Sequence, residues 1–166
     1  MHNRHANKGA YLEIQLEKYH RNLKLVGRAD ITKKEIRAIA TPQGVRFIKH
    51  EGFDFSGTIL GGRNCCVEAK MCESKRLPID KNNKSGLHLR QLQALCFNGK
   101  LGALVGIIWQ YKFDEVYAIG YWQLKKMLEH YNENKGLSIE GAREYGMNIC
   151  KHSFDYVECL ESLERQ

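Results

Sequence analysis

Residues 101 to 109 read LGALVGIIW, nine positions without a charge. An unbroken apolar run of strand length marks a strand buried on both faces, because a half-exposed strand alternates instead. Both faces of such a strand must be covered, and helices are the usual cover, so the run predicts an α/β layer structure. FDEVYAIG, residues 113 to 120, is expected to return beside it as a neighbouring strand.

Around that strand the remaining elements fall into place. KGAYLEIQLEKYHRNLKLV carries Leu12, Leu16, Tyr19 and Leu23 at helical spacing, with Glu13 and Glu17 beside the apolar face. ATPQG is a turn signal, and VRFIKH after it alternates as a strand does. FDFSGTIL and NCCVEAKM follow, joined at Gly61 and Gly62, which predicts a three-strand meander with VRFIKH. SKRLPIDKNNKSG reads as a basic loop ending in Ser85, a candidate cap for a helix over roughly 87–98 that buries Leu89, Leu92 and Cys96 and places His88 and Gln91 together. YWQLKKMLEHY predicts a helix with Trp122, Met127 and Leu128 inward, and SFDYVECLESL one with Val157, Leu160 and Leu163 inward. The order is α-β-β-β-α-β-β-α-α within one domain spanning 1–166, its first seven residues a flexible basic arm.

The net charge of +7 is not spread evenly. Residues 1–50 hold 11 Lys and Arg against 4 Asp and Glu, whereas the rest holds 15 of each. A cationic third suits a polyanion, nucleic acid or an anionic membrane surface, through counterion release, although a solvated face kept for solubility has the same composition. Arg4, Lys8, Lys33, Lys34 and Arg37 are the candidate phosphate contacts there, joined by Lys75 and Arg76 in the basic loop. No stretch reaches the ~18 apolar residues of a membrane span and the N-terminus lacks a secretory apolar region, so a cytoplasmic protein is expected. The six cysteines are expected to be reduced thiols. A zinc site from Cys65, Cys66, Cys72 and His88 is disfavoured, since adjacent strand residues point to opposite faces.

GFDFSGTILGGRNCCVEAKM places charged residues inside strands that otherwise look built for burial. Glu68 and Lys70 share one face, and folding back at the glycines can bring Asp54 beside Glu68. Two neighbouring carboxylates repel unless a cation sits between them, and hard oxygen ligands, with the Ala69 carbonyl among them, suit Mg²⁺ or Mn²⁺. A metal with a nearby lysine suits phosphodiester hydrolysis. The same pattern also arises from surface residues on an exposed strand face beside a turn.

The Asp strand, the glycine turn, the EAK strand and the H-x-x-Q helix resemble the PD-(D/E)XK nuclease superfamily, and more closely its RecU-type Holliday junction resolvases. NKGAYLEIQLEKY, the TP at 41–42, FDFSGTILGG, VEAKMCES, LPI, HLRQLQAL and GALVGIIWQYKFDEVYAI carry the resemblance, from about residue 7 to 120. It implies a restriction-endonuclease-like core, a mixed central sheet flanked by helices. It further implies that Asp54 and Glu68 bind the metal, that Lys70 positions the attacking water, that Glu13 approaches the metal through water, and that Gln91 steadies the nucleophile or scissile phosphate. The family carries a long stalk before the Asp strand. Eleven residues separate Pro42 from Asp54 here, which reads as a short-stalk variant, in a chain of possible phage origin acting in the host cytoplasm.

The sequence thus predicts a Mg²⁺-dependent homodimer, with Mn²⁺ able to substitute, that cuts four-way or branched DNA. Symmetric cuts on a two-fold junction call for two related active sites, and an interface above ~1,000 Å² is expected. A restriction- or repair-type nuclease and a non-catalytic DNA-binding module are the alternatives, because a catalytic set does not encode the shape of its substrate.

Overall fold

A computed structural model describes residues 8–34, 37–42, 44–48, 52–80, 86–134 and 136–165. Its frame is a six-stranded sheet in the order β1 (Ala29–Lys33), β4 (Phe55–Ile59), β5 (Arg63–Met71), β8 (Leu104–Lys112), β9 (Glu115–Gly120) and β11 (Met147–Asn148). β5 and β8 run parallel and all other neighbours antiparallel, so the sheet is mixed. β8 is the uninterrupted apolar strand, with Leu104 through Tyr111 all buried. Helices α1 (Lys8–Leu25) and α6 (Tyr156–Glu164) pack on one face with Cys65, Val67 and Ile108. Helices α2 (Leu89–Lys100) and α3 (Tyr121–Glu129) pack on the other with Cys66, Ile107 and Trp109. Gly106 is where α6 crosses, since a Cβ there would lie 2.6 Å from Leu160 Cδ2.

The predicted meander is corrected at its first strand. The partner of β4 is β1, not the stretch from Val45, which belongs to a hairpin of β2 (Arg37–Thr41) and β3 (Gly44–Ile48) outside the main sheet. That hairpin turns at Pro42, so the ATPQG signal marks its tip rather than an entry into the sheet. The excursion therefore leaves the sheet at Lys33 and rejoins it at Phe55, longer than a count from Pro42 suggests. β1 escaped notice because only Ala29 and Ile31 of its five residues are buried.

The basic loop also contains order. Arg76–Asp80 is β6, central in a three-stranded sheet between β10 (Gly136–Ser138) and β7 (Leu87–His88). Leu77 and Ile79 alternate inward, but Pro78 between them argues against a central strand on sequence grounds. Glycines admit it. Gly136 is the register partner of Pro78, and a Cβ on Gly86 would meet the Pro78 carbonyl at 2.4 Å. Ser85 lies outside the described residues, and α2 begins after His88 instead. α4 (Tyr131–Asn134) and α5 (Ile139–Tyr145) complete the chain before α6. Trp122 departs from its predicted place: it is 54% exposed, while Leu124 and Met127 of the same helix face the core.

Beneath α1 the core holds a histidine. His20 is 4% exposed, its Nε2 lies 2.9 Å from the Tyr156 hydroxyl, and its ring meets Phe55 edge-on. Burial disfavours the imidazolium and lowers its pKa to about 4. The unfolded chain takes up this proton near pH 6.5 and the folded chain only near 4, so this contribution is full above pH 6.5 and is lost as pH falls through that window. Urea unfolding is expected to show a loss of up to about 3 kcal/mol between pH 6.5 and 4. His20→Gln, which keeps a partner for Tyr156 but cannot titrate, is expected to flatten that slope.

Candidate active site

The β4–β5 hairpin sets the geometry. Leu60, Gly61 and Gly62 form its turn, and Gly61 and Gly62 adopt φ of 90° and 81°, a left-handed conformation that side-chain-bearing residues resist. The resulting register pairs Ile59 with Arg63 and Phe55 with Val67. Carried one step further, it sets Asp54 opposite Glu68 on one face. A slip of one residue would move Glu68 into the apolar layer beneath α1.

The two carboxylates interlock through the backbone. The Asp54 N–H donates to Glu68 Oε2 at 3.1 Å, and the Ala69 N–H donates to Asp54 Oδ2 at 3.0 Å. Lys70 Nζ lies 2.6 Å from Glu68 Oε1, and Gln91 Nε2 donates to the same oxygen at 2.6 Å. The orientation of the Gln91 amide follows from the helix: its Oε1 accepts the His88 N–H at 3.1 Å, which turns the NH₂ toward Glu68. Spacing alone carried that signal, since a Gln three residues after a helix cap is a capping-box position. His88 thus serves as the cap of α2, a role the sequence reading did not assign.

Glu68 has no exposed surface, whereas Lys70 keeps 18% of its side chain exposed. Burial raises the Glu68 pKa to about 8; Lys70 opposes the shift and the charge of Asp54 adds to it. A buried carboxylate that faces a second one, with the Lys70 ammonium against it, favours added positive charge. Asp54 and Glu68 with the Ala69 carbonyl are hard oxygen donors, so the residues present fit a small divalent cation that keeps several waters. Among the described residues no group of three or more His, Cys, Asp and Glu comes together as a metal cage. Cys65 and Cys66 point into opposite core layers, as the alternation argument required of the zinc alternative.

Glu13 is engaged by Lys33. It projects from α1 to Lys33 at the end of β1, with Lys33 Nζ 2.5 Å from Glu13 Oε2 and 3.8 Å from Glu17 Oε1. The Glu13 hydrogen bond raises the Lys33 pKa, and the charges of Glu17 and Asp54 add to it. Lys34, next along, gives its N–H to the Asp54 carbonyl at 2.7 Å, so the end of β1 is fastened to the start of β4. Lys34 and Lys75 are exposed, and Arg76 Nη1 donates to the Gly136 carbonyl at 3.3 Å. Arg4 lies outside the described residues, and Lys8 and Arg37 are placed by backbone alone, on α1 and β2.

Comparison with solved structures finds the same architecture in Archaeoglobus fulgidus Hjc, a Holliday junction resolvase from an archaeal hyperthermophile. The match has a TM-score of 0.51 and 14% sequence identity, covering 82% of this chain and 95% of that one. The fold is that of the Hjc nuclease. No family profile matches this sequence, and a search of curated proteins finds no match. The resemblance therefore rests on architecture, a mixed sheet with its helices on both faces, as the sequence predicted.

Two outcomes follow from the electrostatics. In EDTA, Glu68→Gln is expected to gain stability relative to wild type as pH rises from about 5 to 8 and to hold that gain above 8. The reason is that folding with a raised carboxyl pKa favours the protonated form, which is lost through that window; thermal melts across pH read it directly. Mn²⁺ affinity measured by calorimetry without DNA is expected to rise about tenfold per pH unit below 8 and to level off above it, because the cation displaces the Glu68 proton.

Proposed function

We propose that this chain is a metal-dependent, structure-selective endodeoxyribonuclease that resolves four-way DNA junctions by paired phosphodiester hydrolysis. The observation that supports it best is the convergence of Lys70 and Gln91 on one oxygen of Glu68, itself locked to Asp54, within a resolvase-like fold. Asp54, Glu68 and the Ala69 carbonyl would hold Mg²⁺, or Mn²⁺ in its place. The cation, when bound, supplies charge neutralisation at the phosphoryl oxygens and lowers the pKa of a bound water.

The chain's own residues supply positioning and proton handling. Lys70, anchored by Glu68 yet open to solvent, orients the attacking water and takes part in its deprotonation. Gln91, oriented by its cap, steadies the nucleophile or the scissile phosphate. Glu13 acts at longer range, with Lys33 between it and Asp54. Hydrolysis leaves a 5′-phosphate and a 3′-hydroxyl. A homodimer brings two such sites to a two-fold junction. The β2–β3 hairpin falls between Lys33 and Asp54 in the chain, which suits it to contact the junction beside the active site. Among the described residues no helix is long and apolar enough to cross a membrane, and action on cytoplasmic DNA fits this reading.

Cleavage of a four-way junction against matched linear duplex in Mg²⁺ tests the proposal. Wild type is expected to cut the junction, whereas Asp54→Asn and Glu68→Gln lose cutting and keep binding, because phosphate contacts elsewhere carry most of the affinity. Equal rates on duplex and junction would instead favour a nuclease of other specificity. Neutralising Lys34 and Arg37 together is expected to lower the salt slope of junction binding by about two.

A further inference from the structure

Away from the carboxylate cluster, a trough runs along the outer side of α3. Two adjoining cavities form it, of about 490 Å³ and 330 Å³, and both are lined by Gln123, Lys126 and Tyr145. Trp122 and Leu163 close one end, and Arg76 and His130 the other. Volumes of this order match single small ligands or nucleotides rather than a duplex.

We propose that this trough binds an unpaired DNA strand, stacking its bases on Trp122 and Tyr145 and neutralising its phosphates with Lys126 and Arg76. Both rings are large and wet, at 54% and 48% exposed, in a molecule whose other tryptophan is fully buried. Each ring carries an ammonium close to its face: Lys125 Nζ lies 5.5 Å from the Trp122 ring and Lys126 Nζ 5.6 Å from the Tyr145 ring. Alternating rings and cations along a groove are what a single strand requires, since every base offers a π-face and every linkage a phosphate. The lining is not uniformly cationic. Glu144 stands at the Trp122 end, while His130 at the other end sits 3.1 Å from Glu133.

Position supports the same occupant. The three-stranded sheet runs in the order β10, β6, β7, with β10 lining the trough and β7 ending at His88, the cap that orients Gln91. Two strand spacings separate them, about 10 Å. A strand peeled from a branch point at the carboxylate cluster has a short path across this sheet into the trough. The inference rests on the proposed nuclease reading for its substrate, but its test does not use cleavage.

The test titrates a dT12 oligonucleotide, and separately a dA12·dT12 duplex, into the full chain in EDTA. Binding of dT12 is expected to quench tryptophan fluorescence, because Trp122 is the exposed one of the two tryptophans. Lys126→Glu and Tyr145→Ala are each expected to weaken dT12 binding at least tenfold and duplex or junction binding less than threefold. Trp122→Phe is expected to keep the binding, read by anisotropy of labelled dT12, and to lose the quench. Unchanged dT12 affinity in both variants would overturn the proposal, as would equal losses on duplex, which would mark a general basic face. A change in oligomeric state of the DNA-free variants on a sizing column would overturn it too, by assigning the trough to a second copy of the chain. Failure of wild type to cut junctions, with dT12 binding intact and variant-sensitive, would reject the nuclease reading and leave the trough assignment standing.

Discussion

Among the described residues Glu68 is the carboxylate that is fully buried, and it lies at the meeting of β4, β5 and α2. Desolvation of a carboxylate is expensive, and its neighbours answer that cost one at a time: a backbone N–H from Asp54, an ammonium from Lys70, an amide from Gln91. Each of these groups is thereby fixed. Asp54 is pinned at the start of β4, Lys70 is drawn in over the end of β5, and the first turn of α2 is tied to the sheet through Gln91. The arrangement conflicts with simple stability, because a proton on Glu68 relieves part of the cost and a cation would relieve more. Sites that hold buried charge at the expense of folding are where function is to be sought.

The sheet makes that cluster possible by spending its apolar residues elsewhere. β8 fills both core layers, and Trp109 Nε1 reaches the Cys72 carbonyl at 3.0 Å while the Cys72 N–H reaches Gln110 at 3.0 Å. The end of β5 is thus held straight just beyond Lys70. On the opposite face α1 is secured by the Tyr19–Asp155 and Arg28–Asp155 contacts and by His20 against Tyr156. The α1 helix then delivers Glu13 to Lys33 at the sheet end where Asp54 begins. Three separate packing solutions converge on one short stretch of strand ends.

The charge asymmetry of the sequence acquires a shape here as well. Lys33 ends β1, Lys34 next along bonds the Asp54 carbonyl, and Arg37 and Arg46 lie on the hairpin that follows. Part of the cationic third is therefore gathered next to the acidic pair, whereas Lys24 and Arg28 lie at the other end of β1, paired with Asp30 and Asp155. A field of that sign draws phosphates toward carboxylates that would otherwise repel them.

Local chemistry alone determined the parts of this protein that short-range rules govern. The unbroken apolar run had to be a central strand, Gly61 and Gly62 had to turn, and alternation put Glu68 and Lys70 on one face while separating Cys65 from Cys66. The Asp54–Glu68 pairing was legible for the same reason, as a consequence of hairpin register. Partners distant in sequence were not legible. β1, with two buried residues of five, gives too weak an alternation to outbid VRFIKH for the place beside β4, and only the whole sheet decides between them. Pro78 hides β6 until glycines from two other segments are seen to make room for it. Trp122 looks like core by helical spacing, but α3 turns Leu124 and Met127 inward, with Tyr121 and Leu128 packed against the same core, and leaves Trp122 exposed. The ion pair of Glu13 on α1 with Lys33 at the end of β1 was likewise not legible. Register and turns follow from neighbours in the chain, whereas pairing across the fold follows from which surfaces can be covered together.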